Sequence, residues 1–136
     1  MIRPVMRDPL FLARPSLPAD EADAGIADDL LDTLGANLER CVGMAANMIG
    51  GTKRIIAVCC GPGRVAMINP RIIAKSGPYE AEEGCLSLPG VRKARRYRKI
   101  TIAYLDRAFR PQTGTFEGFT AQIIQHEIDH CDGILI

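Results

Sequence analysis

Histidine is nearly absent from this chain: there are two in 136 residues, His126 and His130. Net charge is nearly absent too, since 17 Lys and Arg face 16 Asp and Glu and leave +1. So close a balance argues against a broad cationic surface of the kind that tracks DNA or RNA phosphates. No long apolar run exists. The longest, Ile55 to Cys60, falls far short of the roughly 20 residues that a bilayer crossing needs, so no membrane partner is expected. The opening stretch MIRPVMRDPLFLARPSLPAD has neither an apolar h-region nor a small-residue cleavage site, which argues against a secretory signal and for a cytoplasmic protein. Five cysteines occur (Cys41, Cys59, Cys60, Cys85 and Cys131), and no two form a CxxC pair. An odd count in a reducing compartment is no disulfide framework, and most of these thiols are expected to pack as small buried hydrophobes.

What is present is ordinary for a globular chain: 47% hydrophobic and 24% charged residues. Those values exclude disorder, collagen and coiled coil. The expectation is a single domain over 1–136, large enough to bury about two-thirds of its unfolded surface. Residues 1–19 carry four prolines and little periodicity, so they read as an extended N-terminal arm. Asp20 or Asp23 is placed to cap a helix running to about Arg40, with Ile26, Leu30, Leu31, Leu34 and Leu38 at helical spacing. Short β signals follow at 54–60, 65–69 (stopped by Pro70), 79–85, 101–105 and 113–119. From about Phe119 the period is helical again through Cys131, with Gly133 as C-cap. Helix, strands and a final helix predict an α+β fold, with antiparallel sheets packed around the C-terminal helix. The run 91–99, VRKARRYRK, holds six basic residues. It reads first as a solvated strand or loop, and second as a local contact for ribosomal RNA or a substrate carboxylate.

The two histidines sit in His126-Glu127-Ile128-Asp129-His130, an HExxH motif within the last predicted helix. Residues four apart share a helix face, so both imidazoles can grip one metal while Glu127 handles protons beside it. A catalytic site of this type takes a third protein ligand. Only six residues follow His130, with no His or Glu among them, so the third ligand is expected upstream. The segment Glu82-Glu83-Gly84-Cys85-Leu86-Ser87-Leu88-Pro89 singles out Cys85, a cysteine that follows a flexible glycine in a short segment closed by proline.

With EGCLSLP, QHEIDH, the GMAA stretch at 43–46 and Ile68-Asn69-Pro70, the sequence resembles the peptide deformylase family from about residue 24 onward. That family removes the N-terminal formyl group from nascent chains. The resemblance implies that Cys85, His126 and His130 bind one divalent metal, natively Fe(II), with Zn, Ni or Co able to replace it. It implies a water on the metal that attacks the formyl carbon, with Glu127 moving its proton to the leaving amine. The backbone N–H of Leu86 would donate to the oxyanion, and Gly43 would pair with the substrate backbone. The partner would be an N-formyl-methionyl peptide, presented by the ribosome during translation. Val42 matches the family's pocket for the methionine side chain, and Phe119, Gln122 and Ile123 are candidates beside it. Ile124, Ile128, Cys131 and Leu135 fall on other faces and are expected in the core.

Two residues depart from the family's GxGxAAxQ pattern. Cys41 replaces its first glycine and Met48 its glutamine. The glutamine amide supports the oxyanion in the family; methionine has no N–H to give, and losing one such donor costs on the order of 10²–10³ in rate. Alternatively, Met48 simply packs in the core. If Cys41 lies near the metal, an oxidative link to Cys85 would remove the thiolate ligand. Three readings follow: a deformylase, a weak or inactive deformylase-like module that binds metal and peptide N-termini, and a general metallopeptidase, which the missing downstream ligand argues against.

Overall fold

The computed structural model describes residues 1–136. Two features organise it: a five-stranded antiparallel sheet in sequential order β1–β5, and a helix on each side of the second strand. The strands are β1 Gly43–Ala45, β2 Ile55–Cys60, β3 Gly63–Gly84, β4 Val91–Leu105 and β5 Pro111–Glu117. The helices are α1 Pro9–Leu12, α2 Ala24–Ala36 and α3 Gly118–Cys131, with short 3₁₀ turns at Glu21–Asp23 and Ala46–Ile49.

The apolar run in β2 explains the layering. Side chains alternate across a strand. Ile55 and Ala57 pack in one cluster with Leu30 and Leu34 of α2, while Ile56 and Val58 pack in another with Ile124 and Ile128 of α3. A strand covered on both faces has no polar side, hence IIAVCC.

The helix over 20–40 is shorter than expected. Asp20 caps the 3₁₀ turn by accepting from the Ala22 N–H at 2.9 Å, and α2 begins at Ala24. It ends at Ala36 on Asn37, and Leu38 lies exposed beyond it. The arm at 1–19 is mostly extended but contains α1, and Leu12 is fully buried in the α2-side core. The Ser16 N–H donates to the Cys131 carbonyl at 2.7 Å, holding this segment against the end of α3.

Pro70 does not end a strand. The expected strands at 65–69 and 79–85 are two parts of β3, which passes Pro70 through register shifts between Ile68 and Arg71 and between Ile72 and Ala74. A bulge tolerates the missing N–H. Asn69, at φ 51, is part of the same irregularity. Its amide binds the Ala19 N–H and carbonyl at 2.7 and 3.0 Å.

The basic run forms the first half of β4. Arg95 and Lys93 lie opposite Glu80 and Glu82 on β3, so acids offset the run across the ribbon. Gly133 follows α3 at φ +76, and a Cβ there would collide with the Ala13 carbonyl. Ile124, Ile128 and Cys131 are core residues, but Leu135 is half-exposed and Ile136 is the buried one. All five thiols are free, and only Cys131 is fully buried; the other four are half-buried, with Cys41, Cys59 and Cys85 packed against the α2-side core, contrary to expectation.

Candidate metal centre

Helix α3 places His126 and His130 one turn apart on the face that looks at the end of β3. Their rings meet edge to face, with centroids 4.7 Å apart and the two Nε2 atoms 3.0 Å apart. Cys85 is the first residue after β3, at the start of the loop to β4. Its Sγ lies 3.3 Å from His130 Nε2. The three donor atoms all fall within 4.8 Å of one another. A thiolate and two imidazoles form a donor set that suits a divalent transition metal. Beside it, Glu127 Oε1 and His130 Nδ1 are buried without any partner.

A second layer fixes the first. Glu83 Oε1 meets His126 Nδ1 at 2.8 Å. The same carboxylate takes Arg96 Nη2 at 2.7 Å, Arg96 Nε at 2.9 Å and Gln122 Nε2 at 2.9 Å. Arg96 also donates to Asp129 Oδ2 at 2.7 Å. Arg96 is only 3% exposed, so the expectation of a solvated run fails at this residue. Burial raises the Glu83 carboxyl, but hydrogen bonds from His126, Arg96 and Gln122 outweigh it and hold the group at about 2. A fixed negative carboxylate makes His126 Nδ1 the donor and turns Nε2 toward Cys85. His130 is pushed down by burial and by His126, which keeps it neutral, the form that ligates. The Asn47 amide donates to the His130 carbonyl at 2.9 Å and steadies the helix from below.

This network makes stability depend on pH. Because Glu83 sits below its ordinary 4.5, its contribution is present above that value and is lost as pH falls toward 2. In metal-free protein, Glu83→Gln is expected to cost about 3–5 kcal/mol near neutrality, since Arg96 loses its buried partner. Urea titrations should show the gap to wild type narrowing between about pH 5 and pH 2.

Glu127 is 4% exposed. Burial pushes its carboxyl up to about 7, with His126 opposing and Glu83 adding to the rise. Opposite it runs β1. A Cβ on Gly43 would sit 2.6 Å from Ile123 Cγ2 and 2.9 Å from Glu127 Oε2, so only glycine lets β1 pass so near α3. Gly43→Ala is therefore expected to shift Glu127 and to lower turnover about 10²-fold with the fold intact, measured as kcat beside circular dichroism.

A cavity of about 250 Å³ opens onto these groups, lined by Cys41, Val42 and Gly43, by Glu82 to Cys85, and by Phe119, Gln122, Ile123, His126 and Glu127. The lining includes all five residues named from the sequence as substrate-binding, Val42, Gly43, Phe119, Gln122 and Ile123. Ile123 is buried, while Val42 and Phe119 stand half-exposed and exposed at the mouth. Gln122 is tied to Glu83 and to the Tyr79 hydroxyl, 3.4 Å away. The Leu86 N–H has no acceptor within the protein, and the Leu86 carbonyl is held by Arg7 Nη1 at 2.9 Å.

Cys41 also lines the cavity. Its thiol donates to the Gly43 carbonyl at 2.7 Å, and burial pushes it up to about 12. Met48 does not reach the cavity. It is 1% exposed in the α2-side core, and its sulfur accepts the Ala45 N–H at 3.4 Å. Sequence reasoning passed over Arg96, Asp129 and Asn47. Glu83 carried a signal through its place in EGCLS, but charge patterning alone gave Arg96 none.

The Polypeptide deformylase family model matches residues 4–136. A peptide deformylase of Clostridium beijerinckii is 56% identical over 136 residues, covering all of both chains. The crystal structure of a peptide deformylase from Legionella pneumophila superposes at TM-score 0.87 with 35% identity, over 99% of this chain and 83% of that one. A Met-Ala-Ser-bound class I type b peptide deformylase from Acinetobacter baumannii superposes at 0.86 with 32% identity, over 99% and 97%. A family match along nearly the whole chain, a full-length relative and this donor set agree: the chain belongs to the peptide deformylase family, metal-dependent hydrolases that take the formyl group from nascent peptides.

Proposed function

We propose that this chain acts in the cytoplasm on N-formyl-methionyl peptides as they leave the ribosome, with one divalent metal held by Cys85, His126 and His130. Fe(II) is the native candidate, and Zn, Ni or Co can take its place. The observation that carries the reading is the meeting of those three donor atoms with the buried, unpartnered Glu127 Oε1, beside a cavity that Cys85, His126 and Glu127 line.

The metal, when bound, supplies Lewis acidity and an acidified water. The chain does the rest. The methionine side chain enters the cavity against Val42, Phe119 and Ile123, with Gln122 at its polar side. β1 is an edge strand, so an extended peptide can pair with it at Gly43, whose carbonyl takes the Cys41 thiol on one lone pair and keeps a second. Glu127 takes a proton at its free carboxylate oxygen and passes it to the leaving amine nitrogen; a carboxyl near 7 suits both halves of that task. The Leu86 N–H donates to the developing oxyanion. Glu83 and Arg96 keep His126 aimed while charge builds.

Met48 favours a second reading, a module that binds metal and peptide N-termini with little turnover, because it removes one oxyanion donor. Chelator-stripped protein separates the two. Formate release from formyl-Met-Ala-Ser is expected to return with about one equivalent of Fe(II), Ni(II), Co(II) or Zn(II). If none of these metals restores release, the binding module is the correct reading.

A further inference from the structure

A second hollow adjoins the metal cavity and shares Arg40, Gly84 and Cys85 with it. Its remaining wall is Arg7 and the loop Leu86 to Gly90. Two arginines line it and no acid does. The cavity, by contrast, holds Glu82, Glu83 and Glu127 beside Arg40. Arg40 therefore stands where the two spaces join.

Both arginines are exposed, and neither takes part in any of the protein's ion pairs. Arg40 belongs to the turn just before β1: its N–H donates to the Asn37 carbonyl at 2.9 Å, and its guanidinium makes only a long contact of 3.4 Å to the Asn37 side chain. Arg7 spends one nitrogen on the Leu86 carbonyl and keeps the others free. Arg92, outside the lining, donates to the Pro89 carbonyl at 3.2 Å. On the β4 ribbon, Glu83, Glu82 and Glu80 lie opposite Arg92, Lys93 and Arg95. Within its own lining, then, the hollow sets no acid against its two cations.

We infer that Arg40 and Arg7 set a preference for acidic residues in the peptide downstream of the formyl-methionine. The inference rests on the deformylase reading. A peptide whose first side chain fills the cavity, and whose backbone pairs along β1, passes Arg40 as it leaves. Each further extended residue advances it about 3.3 Å along that path. A guanidinium with free donors recognises a carboxylate by a forked pair of hydrogen bonds, and a lysine in the same place meets like charge. Solvent exposure keeps the effect moderate and sensitive to salt.

The test compares metal-loaded protein on formyl-Met-Ala-Glu, formyl-Met-Ala-Ser and formyl-Met-Ala-Lys amides, with the charged residue also moved one place each way. At low salt, kcat/KM for the best Glu peptide should exceed that for its Lys counterpart about fivefold, carried mainly by KM. High salt should shrink the ratio, Arg40→Glu should invert it, and Arg7→Ala should reduce it. Binding of the unformylated products Met-Ala-Glu and Met-Ala-Lys, followed by calorimetry, should rank the same way without any turnover. Equal rates and equal binding for acidic and basic peptides, with formate still released, overturn this inference alone. No formate from any peptide overturns the parent reading, and the product affinities then decide the charge preference separately.

Discussion

Glu127→Gln is expected to lower kcat by about 10²–10⁴-fold while leaving metal content and fold unchanged. The substitution keeps shape and removes the proton acceptor. It is informative because Glu127 is the only group on the cavity with the means to do the work: it is buried, it has an unpartnered oxygen, and burial holds it at about 7. The chain's two histidines are both in the donor set, so neither is spare to serve as a base. Product binding should change little, since Met-Ala-Ser has no formyl group to hydrolyse. A variant that keeps near-native turnover would mean that protons move by another route, and the role given to Glu127 would be wrong.

Cys85→Ala is expected to empty the site. Two imidazoles alone hold a divalent ion weakly, and the thiolate brings both charge and a strong bond. After dialysis the metal should fall from about one per chain to near zero, and formate release should fall with it. Cys41→Ser is the matched control, because Cys41 lines the same cavity but spends its thiol on the Gly43 carbonyl. It should retain metal. Retention by Cys85→Ala with loss in Cys41→Ser would exchange the roles of the two cysteines. Metal measured by atomic emission, with free thiols counted in the same samples, distinguishes these outcomes.

Much of the site was legible because helical spacing is local. His126 and His130 share a face for the same reason any i and i+4 pair does. Their spacing therefore needed no knowledge of the fold, and neither did the expectation that the third ligand lies upstream. Cys85 required more, namely a motif in which the flanking Glu83 and Leu86 also have places. The strands were read one at a time, and there the reading stopped short. Pro70 looked like a terminator because proline lacks an N–H, but a bulge removes the need for that donor, and β3 continues to Gly84. The end of α2 was misjudged because Leu38 keeps the helical period although Asn37 already closes the helix.

Arg96 was the most consequential omission. In sequence it is one of six cations within nine residues and looks solvated. In the fold it crosses from β4 to reach Glu83 and Asp129, which come from two different elements. A charge is buried only where partners converge, and convergence of distant segments leaves no mark on local composition. Met48 was legible as a residue with no N–H to give and, alternatively, as a core residue; the structure packs it in the core, its sulfur accepting the Ala45 N–H.

The central claim is that this Cys-His-His centre with Glu127 removes formyl groups. Formate counted per chain from formyl-Met-Ala-Ser, by protein shown to carry one metal, tests it most directly; acetyl-Met-Ala-Ser and an internally blocked peptide serve as controls. Many equivalents of formate per chain are expected, with every peptide bond left intact. Stoichiometric metal with no formate released, or cleavage within the blocked peptide, would contradict it.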